Sequence, residues 1–249
     1  MSDQVSCTVD DGLAVVRLER PDKHNALTLD MLRALTRTSA SLRREPRLRA
    51  VVLTGSGPSF CSGLDIPSVL PERVGLARAF VPQPLRGTNV FQEACWGWRR
   101  VPAPVLAAVH GHCYGGGLQL ALGADLRWTS PTACWSVMEG RWGLVPDMGG
   151  VQALSQLVGI EQAKRLTFEA ATIEGPEAVR LGLAGECVDD PYAAALAWAQ
   201  EVATRSPHSL AEAKRLFEQT WAQGARRTLA AERRAQLRLL LRGAGRRTR

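Results

Sequence analysis

Two glycine-containing loops stand out as places where the backbone itself could do chemistry: Phe60-Cys61-Ser62-Gly63-Leu64-Asp65 and Gly111-His112-Cys113-Tyr114-Gly115-Gly116-Gly117-Leu118. Glycine lets a backbone N–H come close to a ligand atom, and a helix start adds partial positive charge. Two such turns facing each other can hold one oxyanion between two N–H donors, which is how an enolate or a tetrahedral intermediate is stabilised. Each loop also carries a cysteine. Cys61 and Cys113 read as small buried filler rather than nucleophiles.

The elements that must position these loops follow from pattern. The apolar runs at residues 51–55 and 105–109 lead into the two loops. Each reads as a buried strand that ends in a glycine turn and enters a helix. Residues 13–18 read as a further strand after the Asp10-Asp11-Gly12 turn. Thr28 can cap a helix of about sixteen residues, with Leu29, Leu32, Leu35 and Leu42 as its apolar stripe. Residues 89–100 read as a helix stopped by Pro102 and Pro104, and residues 124–129 as another strand. Residues 67–87 hold four prolines and two glycines and read as an irregular loop over the site. From about residue 191 the pattern is helical to Leu241, with a break at Ser206-Pro207. Strands alternate with helices, as α/β layers require.

Composition narrows the function classes. A chain of 249 residues fits one large domain, or a core with a small helical extension. The apolar fraction of 45% is that of an ordinary packed core. No apolar run reaches membrane-spanning length, and Met1-Ser2-Asp3-Gln4 is no secretory leader. The six cysteines are scattered, with no CxxC. They read as reduced thiols of a cytosolic protein, with no disulfide framework and no metal cluster. The net charge of +7 is concentrated late, at Arg226-Arg227, Arg233-Arg234, Arg238, Arg242 and Arg246-Arg247-Thr248-Arg249. These arginines read as solvated helix faces and a frayed tail, or as partners for phosphate groups. No nucleic-acid motif accompanies them. Gly115-Gly116-Gly117 is not the dinucleotide-binding G-x-G-x-x-G.

The two glycine loops resemble the oxyanion-hole segments of the enoyl-CoA hydratase/isomerase (crotonase) superfamily. Residues 20–27, Arg-Pro-Asp-Lys-His-Asn-Ala-Leu, look like that family's CoA-contacting turn. Residues 142–150, Trp-Gly-Leu-Val-Pro-Asp-Met-Gly-Gly, look like its post-catalytic loop. The resemblance spans residues 5–240 and rests on four motifs in order. It implies a spiral of ββα turns over residues 1–190 and a C-terminal helical region over 191–249, used for trimerisation or as a lid. It also implies an acyl-CoA thioester substrate, trimers or dimers of trimers, and no cofactor beyond the substrate's own CoA.

Carried over residue by residue, the resemblance makes the N–H groups of Leu64 and Gly116 the oxyanion donors. Each such donor is typically worth ~3 kcal/mol of barrier. It places CoA against Lys23, His24, Ala26, Ser62, Asp65 and Ile66, and the acyl group near Gly115 and Gln119. Lys23 and His24 are the candidates for its 3′-phosphate, while Asp65 can equally start the following helix. Trp96 or Trp98 could line the acyl pocket. The hydratase pattern has two glutamates; here their positions are Gln119 and Glu139. A carboxamide cannot accept and return a proton at neutral pH. Glu139 therefore keeps the catalytic role alone, unless Asp147 joins it. The family's dienoyl-CoA isomerases carry an acid in the context of Asp147, and two carboxylates along a bound acyl chain could relay a proton. Asp147 reads equally well as an N-cap of a helix starting near Met148. The expectation leans to enoyl or dienoyl double-bond isomerisation. The alternatives are a single-glutamate hydratase and a catalytically silent acyl-CoA-binding protein.

Overall fold

The apolar runs that precede the two glycine loops lie side by side at the centre of a sheet. In the computed structural model, which describes residues 4–243, the chain opens with a hairpin, β1 (Val5–Asp10) and β2 (Leu13–Leu18). It continues through α1 (Leu29–Leu42), β3 (Ala50–Gly55), α2 (Ile66–Val69), α3 (Arg73–Phe80) and α4 (Val90–Trp96). Next come β4 (Val105–Val109), β5 (His112–Tyr114), α5 (Gly116–Leu122), β6 (Leu126–Thr129) and β7 (Cys134–Ser136). Then follow α6 (Gly150–Leu157), α7 (Ile160–Glu169), β8 (Ile173–Glu174), α8 (Gly175–Arg180) and β9 (Glu186–Cys187). Three helices end the described residues: α9 (Pro191–Ala203), α10 (Pro207–Thr220) and α11 (Ala225–Leu241).

The larger sheet has the order β1-β2-β3-β4-β6-β9, parallel from β2 onward. A second sheet, β5-β7-β8, takes the short strand that follows each of β4 and β6. This is the repeated strand–strand–helix turn that the resemblance implies. Strands β3 and β4 are buried throughout, and apolar but for Thr54, because both faces are covered. Val51, Leu53, Val105, Ala107 and Val109 join the main core, while Val52, Leu106 and Ala108 meet Ala195 and Ala199 of α9 on the other face. Helix α9 is therefore part of the sheet's packing. Lys214 ties α10 back down, donating to the carbonyls of Trp98 and Ala103 and pairing with Asp125 at 2.7 Å.

Local signals account for most boundaries. Thr28 Oγ1 accepts the Met31 N–H, and α1 buries Leu29, Leu32, Leu35 and Leu42. Asn89 and Gln92 form a reciprocal capping box at α4. Residues 97–100 continue α4 as a 3-10 turn. Three readings are corrected. Residues 67–87 are not wholly irregular: they hold most of α2 and all of α3, which bury Val69 and Ala79. The strand expected at 124–129 begins at Leu126. The C-terminal helical run breaks a second time at residues 221–224, before α11.

Candidate active site

Both glycine loops and the residue 142–150 loop meet at one cavity, and the residue 20–27 turn is bonded to the first glycine loop behind it. Asn25 is the clasp. Its Nδ2 donates to the carbonyls of Ser56 and Ser59, and its Oδ1 accepts the Arg20 N–H. The first glycine loop is zipped to this turn. Ser62 N donates to His24 O, Leu27 N to Gly63 O, and Asp65 N to Leu27 O. The second glycine loop lies against the first. Tyr114 N donates to Cys61 O at 3.0 Å, and a Cβ on Gly117 would stand 2.4 Å from that same carbonyl oxygen. Only glycine permits this approach.

Gly63 has φ of +99° and Gly115 of +48°, conformations that turn the following amides. A Cβ on Gly63 would lie 3.6 Å from Gly116 N, so the two proposed oxyanion donors come from abutting segments. Among the described residues, neither the Leu64 N–H nor the Gly116 N–H is given to a backbone carbonyl. Leu64 and Gly116 both line a cavity of about 560 Å³. Its walls come from Ile66, Val69 and Leu70 around α2, Leu76 and Phe80 of α3, and Phe91 of α4. Trp142, Leu144, Val145 and Met148 complete it, together with Glu139 and Asp147.

Glu139 is buried, and its Oε2 has no hydrogen-bond partner. Burial pushes its carboxyl above the ordinary range; the Gln119 amide pulls it down, and the charge of Asp147 adds to the rise. Gly115 lies beside it, since a Cβ there would come 3.3 Å from Glu139 Oε1. Asp147 lines the same cavity and is the more exposed of the two carboxyl groups. Its carboxyl is also raised, by the desolvation its apolar neighbours impose. Asp147 caps no helix. Helix α6 begins at Gly150 behind Gly149 in the left-handed region, with no side-chain cap. The capping reading is thus corrected.

Other expectations are revised by geometry. Gln119 is not on the cavity wall. It is buried behind Glu139, with Nε2 donating to Glu139 Oε1 at 2.5 Å. Its Oε1 accepts the N–H groups of Met148 and Gly150, each at 2.8 Å. The Asp65 carboxylate pairs with Arg20 at 2.8 Å and caps α2 through the Ser68 N–H, so it starts a helix. Any CoA contact there falls to the backbone. His24 Nδ1 is engaged with Ser59 Oγ, and its ring meets that of His112. Lys23 is exposed on the turn of residues 21–23, beside Ala26 and Ser62. Neither Trp96 nor Trp98 lines the cavity. Trp98 is fully buried and Trp96 stacks under Arg99, whereas Trp142 forms the wall. The wall residues were traceable from Ile66, Val69 and Leu70 and from Leu76 and Phe80, spaced by one helical turn; Pro67 and Pro71 disguised them. Cys61 and Cys113 are fully buried, and burial pushes the Cys61 thiol up to about 12. That agrees with packing rather than nucleophilic attack.

An apolar cavity with two abutting unpaired amides and a buried carboxyl defines a class: enzymes that polarise a carbonyl and move a nearby proton. The comparisons identify the family within it. The family described as enoyl-CoA hydratase/isomerase matches residues 8–241. EchA17 of Mycobacterium tuberculosis strain H37Rv, which carries an enoyl-CoA hydratase name, is 32% identical over 238 residues, covering 95% of this chain and 88% of that protein. The short-chain-enoyl-CoA hydratase of Clostridium acetobutylicum is 35% identical over 178 residues, 71% of this chain and 66% of that one. A hydratase-named protein of Thermobifida fusca YX, solved in complex with CoA, superposes with a TM-score of 0.83 at 33% identity, covering 97% of this chain and 94% of that one. The chain belongs to the enoyl-CoA hydratase/isomerase family, within the crotonase superfamily. It is an acyl-CoA-processing enzyme of that family.

Proposed function

We propose that this enzyme shifts double bonds in an unsaturated acyl-CoA, with a 3,5-dienoyl-CoA as its type of substrate. The observation that carries this reading is a pair of carboxyl groups on one cavity, Glu139 and Asp147, while the Gln119 amide is committed behind them. The thioester oxygen accepts the N–H groups of Leu64 and Gly116. Glu139 takes a proton from C2, and the electron pair moves onto the thioester oxygen as an extended enolate. Asp147, the more exposed carboxyl, delivers a proton at C6 as the electrons return. The double bonds move to C2 and C4, and no proton is gained or lost overall. CoA lies along the backbone of residues 23–26 and 62–66, with Lys23 free for a phosphate.

The names of the relatives favour a second reading, hydration of a trans-2-enoyl-CoA. In that case Glu139 would activate water without a second carboxylate at position 119. Incubation with a 3,5-dienoyl-CoA should give the absorbance of the conjugated 2,4-dienoyl product. No absorbance rise, with a trans-2-enoyl-CoA gaining the mass of water in parallel, would establish the hydratase reading instead.

We also propose that the chain works as a homotrimer or a dimer of trimers. Supporting this, Phe217, Trp221, Leu229, Leu237, Leu240 and Leu241 of the last helices and their junction are exposed. That is more apolar surface than a lone helical hairpin normally leaves in water. The described arginines nearby are partly engaged: Arg238 pairs with Glu212 at 2.9 Å. Arg246, Arg247 and Arg249 lie outside the described residues. Light scattering on a sizing column should give the mass of three or six chains; a single-chain mass would overturn the assembly.

A further inference from the structure

We propose that Gln119 is a positioning residue that fixes which oxygen of Glu139 handles the proton and braces the Asp147 turn against the same side chain. The inference rests on the proposed role of Glu139 but not on which acyl-CoA is used.

The orientation of an amide must be argued from its partners. Here two backbone donors decide it. The N–H groups of Met148 and Gly150 both lie 2.8 Å from one end of the Gln119 amide, and only its oxygen can accept them. The NH2 end is therefore turned toward Glu139, where it meets Oε1. An NH2 group donates and cannot accept. Glu139 Oε1 must then be the accepting, unprotonated oxygen. Any proton that Glu139 holds resides on Oε2, the oxygen left without a partner. A glutamate at position 119 would lose this distinction, because its carboxylate can accept and so lets Glu139 Oε1 carry a proton.

The same amide reaches across the chain. Met148 directly follows Asp147 in its turn and Gly150 opens α6 just beyond, and both are held by the side chain that holds Glu139. The spacing of the two carboxyl groups along the cavity is thus set through one buried side chain from α5. Gly150 shows how tight the clasp is: a Cβ there would stand 2.6 Å from Gln119 Oε1. The other titratable groups that sense Glu139 are Asp147 and Cys95.

The test uses Gln119→Glu and Gln119→Leu in the full chain, with two readouts. The first is exchange of the C2 proton of a saturated acyl-CoA in heavy water, followed across pH. The second is the titration of Glu139 by 13C-carboxyl NMR, assigned by its loss in Glu139→Gln; it requires no turnover. Gln119→Leu should lower kcat for exchange at least tenfold with KM within threefold. Gln119→Glu retains an acceptor for Met148 and Gly150, and those two donors favour its own ionised form. The proton of the pair then settles on Glu139, and both its NMR midpoint and the acid limb of kcat should move up by about one unit or more. If Gln119→Glu folds with the Glu139 midpoint unmoved, the positioning role is wrong. If the wild-type enzyme shows no exchange, the role of Glu139 in catalysis fails, and the NMR midpoints still decide the placement of its proton.

Discussion

Replacing Glu139 with glutamine is expected to reduce turnover by about 10²–10⁴-fold, the usual worth of a general acid–base group, while acyl-CoA affinity stays nearly unchanged. Glutamine keeps the shape and can present its carbonyl to Gln119 Nε2. It cannot take the proton. The same substitution should leave the protein as stable or more stable at neutral pH. Burial raises the Glu139 carboxyl above its ordinary value, so the folded state binds its proton more readily than the unfolded state. The stabilising contribution of a raised carboxyl is full below the unfolded pKa and is lost as pH rises through the folded one. At neutral pH the wild type therefore bears a buried charge that the variant lacks. A thermal melt of both proteins from pH 4 to 8 should show the variant's advantage growing with pH through the raised Glu139 midpoint. Loss of acyl-CoA binding with unchanged turnover per bound complex would remove Glu139 from the chemistry. Rapid C2-proton exchange in heavy water by the wild type would dispose of a catalytically silent binding protein.

Asp147→Asn is expected to abolish formation of the 2,4-dienoyl product while sparing C2-proton exchange. The two steps separate because Glu139 stands beside the glycine turn proposed to hold the thioester oxygen, and Asp147 is a separate, more exposed group on the cavity. An asparagine there can still line the cavity, yet it cannot deliver a proton at C6. Exchange and isomerisation, measured on the same preparations, should therefore fall together in Glu139→Gln and diverge in Asp147→Asn. If Asp147→Asn isomerises at the wild-type rate, Asp147 is a rim residue and the second proton comes from solvent. Since Asp147 is not a helix cap, little loss of thermal stability should accompany the change, whereas removal of a true N-cap costs about 1 kcal/mol.

Much of the scaffold was legible because it depends on short-range physics. Thr28 capping a leucine-striped helix, the apolar strands before each glycine loop and the Asn89 helix start are all set by neighbours within a turn or two. The segment of residues 67–87 was not, because Pro67 and Pro71 mark breaks while α2 and α3 form by packing apolar residues over a cavity that sequence does not display. Trp142 was not legible as a cavity wall for the same reason. Its chemistry suits an interior, and only the path of residues 138–145 brings it to the cavity wall instead.

By itself the sequence determined the class of active site. Glycines at 63, 115, 116 and 117 are demanded by backbone angles and by contacts too close for a side chain, and such demands are written in residue type. It also determined that position 119 cannot carry a proton, because an amide is an amide in any fold. The tertiary structure decided what the amide does and what Asp147 is for. The two N–H groups that orient Gln119 come from residues 29 and 31 positions away, and the carboxyl it holds from 20 away. Whether Asp147 caps a helix or faces a cavity depended on Gly149, which turns the chain before α6 begins. A hydrogen bond is a matter of ångströms and direction, and only the folded chain brings those separations into contact.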